Sequence, residues 1–168
     1  MPRRLRGWAA KVKLQKSVDP APQATHSISG KRSARVTVVR HPVPGTIVRV
    51  DLSEGFRPPE MVKRRPAIVL SPPIPGRASL CTIVPLSTTA PVPALAHHLQ
   101  LSFDPPLPHP YTSPLMWVKG DIVLTVAFHR LRLLFSHSED GQRVYDLRCL
   151  DDRSMESVRA CVRAGLGL

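Results

Sequence analysis

The stretch PAIVLSPPIPGRASLCTIVPL, Pro66–Leu86, decides the fold. Its ends, Pro66–Ser71 (PAIVLS) and Leu80–Leu86 (LCTIVPL), are short, nearly continuous apolar runs, and the PPIPGRAS between them is dense in turn residues. Runs of this length and composition read as adjacent core strands rather than helices. Pro85 withholds an N–H late in the second run, so that strand is expected at an edge or with a bulge there. Just upstream, Lys63, Arg64 and Arg65 run straight into Pro66. Charge at the mouth of a buried strand is expensive unless something pairs with it, and an anionic ligand is one answer.

Working outward, Thr46–Leu52 (TIVRVDL) is β-branched and bounded by Gly45 and a Ser-Glu-Gly turn, which marks a strand. Ser53–Lys63 is a polar, proline-interrupted loop of a length that points to function or mobility. His98–Phe103 (HLQLSF) alternates as a half-exposed strand does, Asp104–Pro114 is a stiff loop, Leu115–Val118 and Asp121–Phe128 are strand-like, and Arg143–Leu150 alternates again. Only the C-terminus has helical spacing. Asp151 or Asp152 caps it, Met155, Val158, Val162 and Leu166 share a face, and Gly165 and Gly167 are expected to stop it. Short strands with one terminal helix predict a mainly β fold, a small, strongly bent barrel or sheet.

The 168 residues suit one domain with an appendage. The net charge of +12 is uneven: residues 1–41 carry ten Lys/Arg against Asp19, giving +9, and the remainder carries fourteen against eleven acids, giving +3. Residues 1–41 are read as a basic, disordered extension with one possible short strand at Arg35–Arg40, and residues 42–168 as the folded domain. An Arg-rich, acid-poor N-terminus also has the composition of a transit peptide or a nucleic-acid-binding tail. Cys81, Cys149 and Cys161 are odd in number and far apart, which supports neither a disulfide framework nor a zinc site. With no apolar run long enough to span a bilayer, a cytoplasmic protein is expected, with no membrane partner.

The order GTIVRVDL, loop, KRRPAIVLSP, CTIVPLSTT, WVKGD and a closing helix resembles the PemK/MazF family of toxin–antitoxin endoribonucleases over about residues 44–168. The resemblance implies an SH3-like barrel with a C-terminal helix, usually a homodimer, that cuts single-stranded RNA at short sequences without a metal or other cofactor. It further implies a cognate antitoxin protein whose flexible tail lies across the active groove, and a toxin–antitoxin complex that binds DNA.

The residues have their own chemistry. Pro66 bars the α-region for Arg65 and holds it extended, so its planar guanidinium can grip a phosphate bidentately. The resemblance makes Arg65 catalytic and leaves Lys63 and Arg64 as RNA-attracting cations. Ser87 and Thr88 end the next strand with hydroxyls that can donate to a phosphoryl oxygen, although such residues are also ordinary turn chemistry. The family's catalytic Ser or Thr falls on Ser87, with Thr88 beside it for RNA binding. Lys119 and Asp121 flank Gly120 and would face one side of an extended backbone, offering a cation and a proton acceptor. Plasmid-encoded members of the family carry Arg-x-Asp here in those roles; Lys119 keeps the charge but lacks the fork. Together these groups suit attack by the RNA's own 2′-hydroxyl, leaving a 2′,3′-cyclic phosphate. Trp117 either stacks on a base or packs in the core, and Arg130 and Arg132 either extend the RNA-binding surface or form a solvated face. His97 and His98, adjacent on a strand, would point to opposite faces, and the other five histidines make no ligand spacing, which argues against histidine catalysis or a metal site. Two other readings remain open: a CcdB-like gyrase-poisoning toxin on the same barrel, and a non-catalytic basic RNA-binding barrel.

Overall fold

A computed structural model describes residues 10–11 and 38–168. The strands are β1 (Ala10–Lys11), β2 (Ile47–Val50), β3 (Arg65–Val69), β4 (Leu80–Ser87), β5 (His98–Ser102), β6 (Leu115–Lys119), β7 (Leu124–Ala127), β8 (Leu131–His137) and β9 (Arg143–Asp146). A 3-10 turn at Phe128–Arg130 joins β7 to β8, and the helix α1 (Asp152–Leu166) closes the chain. The sheet runs β1-β5-β6-β4-β3-β2-β8-β9, with β7 also paired to β4. Every pairing is antiparallel except β1 with β5.

The apolar runs are continuous because alternate residues enter two different cores. From β2, β3 and β4, Ile47, Ile68, Val84 and Leu86 pack with Leu101, Phe103, Met116 and Val118 and with Met155, Val158 and Cys161 of the helix. Their neighbours Val48, Val50, Ala67, Val69, Cys81 and Ile83 face a second core closed by Val126, Phe128 and Leu131, with Phe56 and Met61 of the 53–63 loop against it. Each Val, Leu, Ile, Phe or Met among them that is fully buried contributes about 1.5–3 kcal/mol before entropy is set against it.

Several expectations are corrected. β4 is an interior strand rather than an edge: β3 lies on one side, and on the other β7 pairs with Leu80–Ile83 and β6 with Leu86–Ser87. Pro85 falls in the gap where that partner changes. Because Leu70 N–H donates to Thr82 O, the register turns the Pro85 nitrogen away from β3 and toward the gap, where no ladder bond is lost. Asp121–Phe128 is strand only from Leu124 to Ala127. Residues 38–40 form no strand, although Val38 is buried in the second core; residues 35–37, and the remainder of the basic extension apart from β1, lie outside the described residues.

The helix begins as expected, with Asp151 accepting from Ser154 N–H at 2.7 Å, and ends at Gly167, whose φ of 72° is the left-handed cap. Gly165, expected to help stop the helix, lies inside it. A Cβ there would come within 2.5 Å of the Gly120 carbonyl oxygen, and one on Gly120 within 2.5 Å of the Cys161 carbonyl oxygen. The two glycines let α1 lie directly on the end of β6.

Candidate active site

The β-sheet register assembles the first group. Arg65 pairs with Val50, and Ala67 with Pro85; continuing the latter register by one pleat brings Arg65 level with Ser87. Ser87 pairs with Trp117, which pairs in turn with Gln100. Arg65, Ser87, Trp117 and Gln100 therefore form one row across four strands spaced about 4.8 Å apart, on the face opposite Leu86 and Val118. Trp117 belongs to neither core and stands beside Ser87.

The row carries two hydrogen-bond donors. Ser87 is buried, and its Oγ accepts from Thr89 N–H at 3.2 Å, which leaves the hydroxyl proton to be given elsewhere. The Arg65 Nε is buried without a partner among the described residues. An unpaired buried donor costs about 1–3 kcal/mol, more when charged, and such a group points to a ligand. Lys63 and Thr88 flank the row and are exposed.

The structure sets Asp121 apart from that row. Lys119 is one pleat beyond Trp117 and pairs with His98. Past it the chain does not stay extended: Ile122 N–H closes a turn onto Lys119 O at 2.9 Å, with Gly120 pinned under α1. Asp121 sits in that turn, up to about 13 Å along the backbone from the Ser87 row. It forms no ion pair with Lys119 among the described residues.

Asp121 instead meets the two histidines, which corrects the expectation that their rings diverge. His97 precedes β5 rather than lying on it, and the His97 and His98 rings are 4.2 Å apart. Their nitrogens and an Asp121 oxygen lie within 4.8 Å of one another, a set that could hold a metal ion. However, His98 Nδ1 accepts from Leu95 N–H at 3.1 Å, so the neutral ring carries its proton on Nε2 and offers no free lone pair in this geometry. Burial, then His97, then Lys119 lower the His98 pKa, with Asp121 opposing them.

A third group lies where β8 leaves β2 to pair with β9. A cavity of about 250 Å³ there is lined by Arg49, Asp51, Arg64, His129, Arg130, Arg132, Leu133, Phe135, Arg143 and Tyr145. Arg64 Nε pairs with Asp51 at 2.6 Å. Partial burial works to raise the Asp51 pKa, but hydrogen bonds from the Ser53 hydroxyl and N–H and from Arg64 outweigh it and bring the pKa down to about 2. Arg130 braces the neighbouring loop, donating to the Asp51 and Glu54 carbonyls at 3.2 and 2.8 Å and lying over the Phe56 ring. That bracing commits the side chain the sequence offered for RNA binding. Tyr111 packs against the first core, and burial raises its pKa, with Arg49, Arg64 and Arg65 opposing the rise.

A search of curated proteins gives no significant match. Among solved structures, MazF (Form-I) from Deinococcus radiodurans is 20% identical, covering 77% of this chain and 99% of its own, with a TM-score of 0.53. An endoribonuclease from Mycobacterial species is 19% identical over 78% of this chain and 96% of its own, at a TM-score of 0.46. The MazE-MazF (Form-II) structure from Deinococcus radiodurans gives 18%, 77%, 98% and 0.44. At such identity the MazF likeness is one of fold. A family-wide sequence profile described as PemK-like, MazF-like toxin of type II toxin-antitoxin system matches residues 44–166. The match spans most of the chain, from the turn before β2 to the last residue of α1, and the chain therefore belongs to the PemK-like, MazF-like family of type II toxin–antitoxin toxins.

Proposed function

We propose that this toxin is a metal-independent endoribonuclease that cuts single-stranded RNA by attack of the 2′-hydroxyl on the adjacent phosphodiester, leaving a 2′,3′-cyclic phosphate. The observation that carries the reading is the buried Arg65 Nε, without a partner among the described residues, on a strand whose continued register brings it level with the buried Ser87. Two such donors on neighbouring strands suit the charge that grows on a phosphate as it becomes five-coordinate. Lys119, one pleat away, supplies a cation toward the leaving 5′-oxygen. The ribose then lies over Trp117; Asp121, set apart in its turn, is out of reach of the 2′-hydroxyl, so water takes that proton and returns one to the 5′-oxygen as its bond to phosphorus breaks. Lys63, Arg64 and Thr88 border the phosphate path.

The fold and family membership support an antitoxin as the natural inhibitor and a second copy of the chain as the partner in a homodimer, and the absence of a membrane-spanning helix among the described residues accords with a cytoplasmic site of action. The test is to incubate the purified chain with a long RNA in EDTA and analyse the product ends. Discrete cuts bearing 2′,3′-cyclic phosphates, abolished by a single 2′-deoxy substitution 5′ to the cut, are expected. Cutting that stops on chelation alone, or that leaves 3′-hydroxyl ends, overturns the mechanism, and a chain that cuts no RNA but poisons gyrase takes the CcdB-like reading instead.

A further inference from the structure

The arginine-lined cavity between β2, β8 and β9 breaks a local rule. Arg49 and Arg132 are direct cross-strand partners, both half-buried, and like charges so placed are destabilising. Among the described residues, five arginines and one carboxylate, Asp51, line the cavity, and Asp51 is paired with Arg64. Arg132 gives hydrogen bonds to the His129 and Leu131 carbonyls, both at 2.8 Å, which fix the side chain without cancelling its charge. Concentrated positive charge of this kind is maintained where an anion completes it. The lining also holds two rings: Phe135 and Tyr145 are cross-strand partners with rings 6.1 Å apart, and the Arg143 guanidinium lies 4.7 Å over Phe135. Rings and guanidinium planes beside a cationic pocket are what single-stranded RNA uses, base on plane and phosphate on arginine.

We propose that this cavity is a subsite for one nucleotide of the RNA flanking the cut, its phosphate between Arg49 and Arg132 and its base against Tyr145 and Arg143. The inference rests on the endoribonuclease reading above; Arg64, which lines the cavity, directly precedes Arg65 of the catalytic row in the chain. An acidic antitoxin segment would satisfy the arginines but gives the two rings no partner, so a nucleotide fits more of what is present.

The test compares Arg132→Gln and Tyr145→Leu with the wild type on two RNAs: a minimal one holding only the nucleotides around the cut, and one extended by several nucleotides on each side. The wild type is expected to have the lower KM on the extended RNA. Each variant should lose about tenfold of that advantage while cutting the minimal RNA unchanged, which also shows that it folds. Arg132→Gln should lower the salt slope of binding to the extended RNA by about one unit. Wild-type KM for the extended RNA in both variants overturns the subsite and leaves the nuclease standing, whereas a wild type that cuts neither RNA removes the nuclease reading itself. Unchanged RNA kinetics with weakened binding of an acidic peptide from the antitoxin would assign the cavity to protein and refute the nucleotide.

Discussion

Replacing Arg65 by methionine should stabilise the protein while destroying its proposed activity. The Nε is buried with no acceptor among the described residues, and an unmet buried donor costs about 1–3 kcal/mol. Arg65 as a whole is only half-buried, so its guanidinium keeps part of its hydration and the low end applies, about 1 kcal/mol. Methionine fills a similar length along the strand and carries no polar atom to satisfy. For a folded part of about 130 residues, a gain of 1 kcal/mol raises Tm by about 3–5 °C. Differential scanning calorimetry of both proteins at pH 7 without RNA measures the difference, and a cleavage assay on the same samples should show no cutting by Arg65→Met. A drop in Tm would mean that the guanidinium is satisfied within the fold, and the reasoning that makes it a phosphate donor would fail.

Other expectations are as specific. Asp51 has a folded pKa of about 2 against an ordinary 3.8, so its contribution is fully present above pH 4 and is lost as pH falls toward 2. Allowing for solvent at this partly exposed pair, Asp51→Asn should remove about 1 kcal/mol at pH 7 and flatten the acid limb of the stability curve; an unchanged limb counts against the Arg64–Asp51 pairing. Gly165→Ala should lower stability by about 2 kcal/mol despite alanine's better helix propensity, because its Cβ meets the Gly120 carbonyl; a higher urea midpoint would show that α1 can lift off β6 freely. Burial pushes the Cys81 and Cys161 thiols up to about 11, leaving about 0.1% thiolate at pH 8, so both should resist iodoacetamide in the native state and react on unfolding.

The parts of the fold that were legible were those where one local signal decides. β3 and β4 showed as apolar runs because both of their faces are buried, and α1 showed through its Asp151 cap and its apolar spacing. β8 went unread: in HRLRLLF the buried Leu131 and Leu134 alternate with Arg132 and Phe135, which turn toward the cavity, so neither a strand nor a helix period stands out. The β8–β9 hairpin, and with it the cavity, was therefore hidden. Arg65 and Ser87 could be singled out in the sequence, yet their juxtaposition depends on the β3–β4 register, a property of two segments rather than one. The same limit worked in reverse for Lys119 and Asp121, whose two-residue spacing suggested a shared face until the turn at Gly120 sent Asp121 to the histidines. Gly165 looked like a stop signal because the sequence does not reveal what packs against it.

The measurement closest to the centre of the mechanism is single-turnover cleavage of a one-site RNA in EDTA by the wild type, Arg65→Ala and Ser87→Ala. The wild type should cut to cyclic-phosphate ends, Arg65→Ala should show no detectable cutting with its circular dichroism unchanged, and Ser87→Ala should be slower by about 100-fold, as expected for the loss of one donor to a developing oxyanion. Cutting at the wild-type rate by a folded Arg65→Ala would mean that the reacting phosphate is held somewhere other than the row shared by these two residues.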